Sequence, residues 1–429
     1  MCWATRFLKY WKKFEIAAAR KRHKLLQSAM EEEMEMKIAL MTNNYKPFMG
    51  GVPISIERLK TGLEALGHQV TVFAPTYEEQ VEEENVFRYA TCMKRFIGGI
   101  VLPNPFDRRI EEEFKRRDFD IIHVHHPMLI GRTAVYLSKK YDIPLTFTYH
   151  TRYEQYVECY TKSRLIERLT PLYLRAFLKH CHFIFAPTQG MKDYLVEKCR
   201  VYPERIGILP TGIEEGNFQV EEDAAAKIRE RYQAQDMPLL ITVSRMAQEK
   251  NVEFILQSLE LFKKRWRKPF RMLMIGDGPD RETYERLAEE LGLAEELCFT
   301  GQIPNQEIAP YFAAADAFLF ASRTETQGIV ILEAFAGKTP VVAVEASGVK
   351  DLVKSGYNGI LTEENSEQFA GELDSLLKNT LIRERMASYA GQSALAYRED
   401  AVALQAVHYY NSVINLTEGK GETWINTVF

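Results

Sequence analysis

Short apolar segments alternate with amphipathic helices along most of this 429-residue chain, and the alternation starts afresh about halfway. This order is typical of parallel sheets built from β–α–β units. In the first half, the predicted strands are residues 37–41, 69–73, 120–124, 144–148 and 183–186. In the second half, they are residues 239–243, 271–275, 297–300, 317–320 and 340–344. The sequence therefore predicts an α/β protein of two doubly wound domains that face each other across a cleft.

The predicted domain boundary lies near residue 217, in an acidic, alanine-rich stretch that lacks strand character. We assign residues 36–217 to an N-terminal domain and residues 218–399 to a C-terminal domain. Residues 400–429 contain a final helix. The sequence leaves open whether this helix packs back on the first domain. The first helix after residue 50 is amphipathic, because one face carries Ile56, Leu59, Leu63 and Leu66.

Residues 1–35 form a basic N-terminal extension. Its first thirty residues hold eight lysines and arginines against one glutamate, and Phe7, Trp11 and Phe14 recur at helical spacing. This pattern favours a helix that lies on a membrane surface. Two other interpretations stay open: a disordered basic tail, or a segment foreign to the natural protein, with translation starting at Met36.

Charge and composition argue against several classes of protein. A net charge of −4 gives no basis for nucleic-acid binding. No apolar run reaches the roughly 20 residues that span a bilayer. Six scattered cysteines without Cys-x-x-Cys spacing indicate reduced thiols. We therefore expect a cytoplasmic protein, with a peripheral position on the inner face of the cell membrane as the alternative.

Two carboxylates, Glu325 and Glu333, are separated by seven residues in the segment after the strand at 317–320. Glu325 is predicted on the loop at the carboxyl end of that strand, and Glu333 about two turns into the next helix. Open parallel sheets bind ligands at this edge. Ionised carboxylates accept paired hydrogen bonds from adjacent hydroxyls, so the pair favours a polyhydroxylated ligand. Two solvated helix glutamates are the alternative.

Each half carries a candidate anion site after its first strand. In the first half, Gly50 and Gly51 precede a helix, where the backbone can approach a ligand and the helix N-terminus favours negative charge. In the second half, Arg245 and Lys250 are placed to bind a diphosphate without a metal. A simple Gly-Gly turn and two solvated loop cations are the alternatives.

A third strand-end turn contains Gly276 and Gly278. It lies in the middle of its half and lacks the G-x-G-x-x-G fingerprint, so a turn that lines the cleft is favoured over NAD binding.

Histidines cluster at two strand ends of the first half. His123 and His125 alternate and should lie on the same face of the sheet. These two and His126 make a metal site conceivable, but no acidic residue follows at ligand spacing, so we predict no metal site. A neutral His150 at a strand end could hydrogen-bond a sugar hydroxyl. A buried core histidine is the alternative.

Together these motifs resemble family 4 of the retaining glycosyltransferases, which have the GT-B fold of two facing Rossmann-like domains. The resemblance runs from about Lys37 to Leu416. The motifs that carry it are Gly50-Gly51-Val52, His150, Pro210-Thr211-Gly212-Ile213, Arg245 with Lys250, Gly276-Asp277-Gly278-Pro279, and Glu325-x7-Glu333.

The resemblance implies a role for each matched residue. Glu325 would contact the transferred sugar and support positive charge at its anomeric carbon, and Glu333 would hold the ribose hydroxyls. His150 would hydrogen-bond the sugar from the acceptor side. The implied donor-binding set is Gly50, Gly51, Arg245, Lys250, Gly276, Gly278, Glu325, Gly328 and Glu333. The family needs no metal or other cofactor, uses a nucleotide sugar as co-substrate, and retains the anomeric configuration.

The segment at residues 149–156 is similar to one found in bacterial 1,2-diacylglycerol 3-glucosyltransferases, and residues 126–131 look like their preceding loop. This likeness assigns His126, Tyr153 and Glu154 to the acceptor side. Those relatives bind anionic membranes through basic, apolar surface helices. Here residues 108–109, 115–117 and 164–179 could serve, with solvated charged faces as the alternative.

The expected function is transfer of a hexose, glucose by analogy, from a UDP-sugar to a lipid acceptor such as diacylglycerol. A same-fold enzyme with a polyprenyl-linked, phosphatidylinositol or soluble sugar acceptor is the first alternative. A UDP-sugar epimerase of the GT-B fold is the second. The paired carboxylates with Arg245 and Lys250 argue against the epimerase.

Overall fold

The computed structural model of the chain describes residues 35–48, 50–80, 82–93, 101–153 and 164–417. The predicted N-terminal extension, apart from its last residue, lies outside this range, as does Glu154. No helix in the described part of the chain is both long enough and apolar enough to cross a bilayer.

The N-terminal domain is built on a parallel sheet. The strands of this half are β1 (Lys37–Met41), β2 (Gln69–Pro75), β3 (Val86–Tyr89), β4 (Thr91–Met93), β5 (Leu102–Pro103), β6 (Ile121–Val124), β7 (Leu145–Thr148), β8 (Phe183–Ala186) and β9 (Ile206–Ile208). Seven of them form one sheet in the order β3-β2-β1-β6-β7-β8-β9, while β4 and β5 pair separately as an antiparallel ribbon. In the central pair, Leu40 lies beside His123.

Helices cover both faces of this sheet. They are α1 (Gly51–Ala65), α2 (Arg108–Arg117), α3 (Ile130–Tyr141), α4 (Arg164–Leu178) and α5 (Gln189–Glu197). Alternate strand residues bury opposite faces, so the core has two layers. Helices α2 to α5 pack on one face, through residues such as Phe114, Ala134 and Phe177. Helix α1 packs on the other face, where Ile56, Leu59 and Leu63 are buried as predicted.

The C-terminal domain repeats this plan with a six-stranded parallel sheet of order β12-β11-β10-β13-β14-β15. Its strands are β10 (Leu239–Val243), β11 (Arg271–Ile275), β12 (Leu297–Gly301), β13 (Ala317–Phe320), β14 (Val341–Val344) and β15 (Gly359–Thr362). Its helices are α6 (Glu222–Arg231), α7 (Val252–Trp266), α8 (Arg281–Glu290), α9 (Ala309–Ala314), α10 (Ile329–Ala336), α11 (Val349–Leu352), α12 (Ser366–Lys378) and α13 (Thr380–Ala394). Again the buried side chains form one layer on each face of the sheet.

The chain crosses between the domains twice, and the two crossings are hydrogen-bonded to each other. Ile213 N donates to the carbonyl of Tyr397 at 2.7 Å, and Glu399 N donates to the carbonyl of Ile213 at 3.0 Å. The final helix, α14 (Glu399–Thr417), then packs on α1 and buries Val402, Ala406 and Tyr410 against the first sheet. The C-terminal segment therefore completes the N-terminal domain.

These observations confirm the predicted fold class of two Rossmann-like domains. All ten predicted strands are present, and their ends differ from the predicted ones by at most two residues. Five short strands were not predicted: β3, β9 and β15, which lie at sheet edges, and β4 and β5, which form the separate ribbon. Their few residues carry too little periodicity to be recognised before their partners are known.

Candidate active site at the domain interface

The candidate site lies where the strand order of each sheet changes direction. In the first sheet, β1 and β6 are neighbours, and the chain proceeds outward from them on opposite sides. Strands β10 and β13 hold the same relation in the second sheet, with Ile241 beside Phe318. Open α/β sheets bind ligands at the carboxyl ends of strands at such a switch point. The loops after these four strands carry most of the predicted site residues.

Lys250 and Glu325 belong to the two loops at the second switch point, and they form an ion pair. Lys250 Nζ donates to Glu325 Oε1 at 2.5 Å. Burial acts to raise the pKa of Glu325, but the charge of Lys250, its hydrogen bond and a hydrogen bond from Ser322 outweigh burial and hold the pKa below its ordinary value. Glu325 is therefore an ionised carboxylate at neutral pH.

Arg245 lies on the same loop as Lys250 but pairs with a different carboxylate. Its Nη2 donates to Glu249 Oε1 at 2.7 Å, and its side chain is half exposed. The carbonyl of Glu249 in turn accepts from the backbone N–H of Arg323 at 3.2 Å. The two switch-point loops are thus tied together, and of the two predicted cations Lys250 is the one paired with Glu325.

Gly276 and Gly278 pack against the backbone of the loop that carries Arg245. A Cβ at Gly276 would lie 2.0 Å from the carbonyl oxygen of Ser244, and one at Gly278 would lie 2.3 Å from that of Met246. Gly276 also has a φ of +129°, in the region that favours glycine. Both predicted donor-binding glycines are therefore required by the fold, because only glycine allows the two strand-end loops to pack this closely.

Helices α1 and α10 begin opposite each other across the domain interface. Gly51 is the first residue of α1, and a Cβ added there would lie 3.7 Å from Cδ1 of Ile329, the first residue of α10. Gly50 precedes α1, and Gly328 precedes α10 with a φ of +82°. Helix N-termini present unpaired N–H groups and partial positive charge. Two such termini with Lys250 nearby favour a polyanionic ligand.

Glu333 is buried and paired with an arginine from the other domain. Arg58 of α1 donates from Nη2 to Glu333 Oε1 at 2.7 Å, and the two side chains are 1% and 5% exposed. The predicted placement of Glu333 about two turns into its helix is wrong. Since Gly328 takes the left-handed conformation and α10 begins only at Ile329, Glu333 is the fifth residue of the helix, just over one turn in.

The loop between the two carboxylates touches the N-terminal domain directly. Thr326 Oγ1 donates to the carbonyl of His150 at 2.8 Å. Gln327 Oε1 accepts from the backbone N–H of Thr211 at 2.8 Å. His150 therefore lies on the opposite wall of the cleft, in contact with Thr326, the residue that follows Glu325.

The predicted histidines form a row of neutral rings, of which His123 and His125 are buried and His126 and His150 are partly buried. His123 and His125 stack at 4.3 Å between ring centroids, and His125 Nδ1 lies 2.8 Å from His150 Nε2. His123 also contacts the Tyr410 hydroxyl at 2.6 Å. Burial lowers the pKa of His123 to about 3 and that of His126 to about 4, and holds those of His125 and His150 well below the ordinary value. His150 therefore acts as an uncharged hydrogen-bonding group.

The other two described acceptor-side residues have different surroundings. His126 Nδ1 accepts from the backbone N–H of Asn43 at 3.2 Å, so its ring lies against the loop after β1. Tyr153 packs edge-on against Tyr149 at 5.8 Å. In the part of the chain that the structure describes, no cluster of three or more His, Cys, Asp or Glu side chains is arranged to hold a metal ion.

A cavity of about 520 Å³ opens between the domains beside the Arg58–Glu333 pair. Its walls include Pro53, Arg58 and Glu214 from one side and Gln302 to Gln306 from the other. This volume falls within the range of small-molecule sites. Arg58 and residues 302–306 were not predicted as site residues, because no local sequence pattern marks them.

Comparison with known proteins places this geometry in a family. Residues 49–216 match the model of glycosyltransferase family 4, and residues 224–393 match the model of group 1 glycosyl transferases. The chain is 31% identical over 366 residues to an alpha-monoglucosyldiacylglycerol synthase of Streptococcus pneumoniae, covering 82% of this chain and 81% of that protein. The chain belongs to glycosyltransferase family 4. This glycosyltransferase is also 27% identical over 407 residues to the alpha-monoglucosyldiacylglycerol synthase of Acholeplasma laidlawii, covering 90% of this chain and 99% of that protein.

Other relatives differ in what they act on. A GDP-mannose-dependent phosphatidylinositol monomannoside mannosyltransferase of Mycolicibacterium smegmatis is 27% identical over 336 residues, covering 76% of this chain and 84% of that protein. Among solved structures, HepE of Anabaena with UDP and glucose superposes with a TM-score of 0.70 at 17% identity, covering 88% of this chain and all of that one. Sucrose-phosphate synthase of Thermosynechococcus elongatus superposes with a TM-score of 0.75 at 20% identity, covering 89% of this chain and all of that one. These two structures support the GT-B fold.

Proposed function

We propose that this glycosyltransferase moves a hexose, namely glucose, from a UDP-sugar to a diacylglycerol-type lipid. The transfer would retain the anomeric configuration of the sugar. One observation carries the proposal furthest. Lys250 and Glu325 form a cation–carboxylate pair at the switch point of the second sheet, beside two opposed helix N-termini. That arrangement suits a ligand with both a diphosphate and a sugar.

The donor diphosphate would bind between the N-termini of α1 and α10. Lys250 supplies a full positive charge there, and the backbone N–H groups after Gly50 and Gly328 supply partial charges. The nucleoside would extend toward the cavity lined by Arg58 and Gln302. Its ribose hydroxyls would bind Glu333, which does not line that cavity itself but is paired with Arg58 at its edge. A nucleoside diphosphate leaving group held in this way departs more readily, because negative charge develops on it in the transition state.

Transfer would proceed on one face of the sugar. The bond between the anomeric carbon and the phosphate oxygen breaks, the acceptor hydroxyl oxygen bonds to the same face, and the hydroxyl proton passes to the departing phosphate. Glu325, ionised beside Lys250, would support positive charge on the anomeric carbon. His150, partly buried and neutral because desolvation lowers its pKa, would hydrogen-bond the sugar from the other wall. This route needs no protein nucleophile.

The lipid acceptor is supported first by the relatives. The two synthases from Streptococcus pneumoniae and Acholeplasma laidlawii are named for monoglucosyldiacylglycerol, and the mannosyltransferase of Mycolicibacterium smegmatis for a phosphatidylinositol derivative. All three products carry a sugar on a lipid. A lipid acceptor embedded in a bilayer requires that the enzyme dock on the membrane surface.

The outer helix layer of the N-terminal domain supports such docking. Helices α2, α3 and α4 cover the same face of the sheet. Their layer exposes the large apolar side chains Phe106, Tyr136, Leu169 and Leu172. Apolar side chains set among lysines and arginines are typical of surfaces that bind anionic membranes.

Several basic residues on this layer are paired with carboxylates, so the layer is less positively charged than the sequence alone suggests. Arg109 pairs with Asp107 at 2.5 Å, and Arg116 and Arg117 share Glu113 at 2.8 Å and 2.5 Å. Exposed apolar groups would therefore contribute more to docking than the count of basic residues suggests.

The test uses purified full-length protein, labelled UDP-glucose and anionic liposomes made with or without diacylglycerol. We expect label in the extracted lipid only when diacylglycerol is present. The Glu325→Gln variant serves as the matched inactive control. Label in lipid without diacylglycerol would point to another lipid acceptor, and transfer only to a soluble sugar would overturn the lipid proposal. Parallel reactions with GDP-mannose and phosphatidylinositol test the activity for which the mycobacterial relative is named.

A further inference from the structure

Arg58 is a buried cation that the functions proposed for Gly51, Lys250 and the two carboxylates leave unexplained. It lies in the second turn of α1, and its side chain is 1% exposed. Burial acts to lower its pKa, but the charges of Glu333 and Glu214 outweigh burial and raise it. The guanidinium therefore stays charged in a place where an unpaired charge would be very costly.

Three contacts hold the guanidinium, and they come from two different parts of the chain. Nη2 donates to Glu333 Oε1 at 2.7 Å, Nε to Glu214 Oε1 at 3.1 Å, and Nη1 to the carbonyl of Gly212 at 3.1 Å. Glu333 belongs to the C-terminal domain, whereas Gly212 and Glu214 belong to the crossing between the domains. One side chain thus joins α1, the crossing and α10.

The same guanidinium lines the cavity between the domains. Arginine has five N–H donors, and the three contacts above use three of them. Glu333 has two carboxylate oxygens, of which Oε1 accepts from Arg58. Arg58 can therefore fix the orientation of the Glu333 carboxylate while its second oxygen accepts a hydrogen bond from a ligand.

We propose that Arg58 is a positioning residue of the donor site. It orients Glu333 for the donor ribose, and because it belongs to the other domain, it makes donor affinity depend on the two domains being together. This inference rests on the proposed function, in which Glu333 binds the donor.

The test compares Arg58→Gln, Arg58→Lys and Arg398→Gln. Arg398 is the matched control, because it pairs with Glu215 and Asp400 at the domain crossing rather than with Glu333. Calorimetry with UDP, and separately with GDP, gives the Kd, and initial rates give KM and kcat. Loss of one charge-assisted hydrogen bond corresponds to a rise in Kd on the order of tenfold to a hundredfold. We expect this rise in Kd for Arg58→Gln, a smaller rise for Arg58→Lys and no change for Arg398→Gln. The kcat of all three variants should stay within about threefold of the parent.

A double-mutant cycle separates positioning from simple loss of structure. If Arg58 acts through Glu333, then Arg58→Gln adds no further loss of UDP affinity to Glu333→Gln. Additive losses, or an unchanged Kd in folded Arg58→Gln, would overturn the inference. If Arg58→Gln does not fold, Arg58→Lys takes its place in the cycle, judged by the same criteria. Failure of the parent protein to bind either UDP or GDP would instead count against the proposed function.

Discussion

Lys250 Nζ lies 2.5 Å from Glu325 Oε1, although 75 residues separate the two in the chain. Their loops leave adjacent strands, β10 and β13, at the point where the second sheet changes direction. The carboxylate of Glu325 and the ammonium of Lys250 thus compensate each other's charge. A diphosphate carries more negative charge than one carboxylate, so under the proposed function the donor would compete with Glu325 for Lys250.

Substitution of Lys250 by glutamine should weaken donor binding. The variant loses a charge-assisted phosphate contact, which corresponds to about 1.5–3 kcal/mol of binding free energy. Calorimetric titration with UDP measures the loss. Lys263→Gln is the control, because Lys263 pairs with Glu296 at 2.7 Å on the surface of the same domain. Equal affinities of the Lys250 variant and the parent would remove Lys250 from the donor site.

Substitution of Glu325 by glutamine should abolish most of the transfer while the fold stays intact. The amide keeps nearly the same volume but cannot support developing positive charge, and we expect kcat to fall by on the order of 100-fold or more. Stability should fall by about 1–2 kcal/mol, since Lys250 loses its partner in a partly buried site. Single-turnover release of UDP and thermal unfolding report the two effects separately. Normal turnover would remove the assigned role of Glu325.

Local sequence patterns predicted the strands and the loops that carry the site, because strand periodicity and strand-end position are properties of short segments. Glu325 and Lys250 were found in this way. Arg58 was not, since a helix whose buried face carries Ile56, Leu59 and Leu63 would be expected to point a neighbouring arginine to solvent. Glu333 of α10 and the crossing residues Gly212 and Glu214 hold it in a buried place, and no window of local sequence contains those contacts.

The glycines of the third strand-end loop illustrate the same limit. The sequence shows that Gly276 and Gly278 stand in a turn at the edge of the site. It does not show that the backbone at Ser244 and Met246 lies against them, since that contact depends on how β10 and β11 pair. Their requirement for glycine is therefore a tertiary property.

Gly276→Ala should destabilise the C-terminal domain much more than Gly292→Ala. Both glycines have positive φ, +129° and +68°, but a Cβ at Gly276 would lie 2.0 Å from the Ser244 carbonyl, while Gly292 has open space within 4 Å. We expect a loss of about 1–2 kcal/mol at Gly292, from backbone strain alone. At Gly276 the loss should reach at least about 3 kcal/mol, because the loop must move. Urea denaturation of both variants checks the difference, and similar losses would contradict it.

Glu399 should make the stability of the protein depend on pH near neutrality. Burial, followed by the charge of Glu214, raises the pKa of Glu399 from 4.5 to about 7, while Arg58 opposes the shift. The folded state therefore binds more protons than the unfolded state between these two values, and stability falls as the pH rises from about 4.5 through about 7. Glu399→Gln removes this titration, so the variant should gain stability relative to the parent at pH 8 and little at pH 5. Thermal unfolding of both proteins at the two pH values measures the gain, with Glu204→Gln as an exposed control. An equal difference between parent and variant at both pH values would show that Glu399 does not titrate in this range.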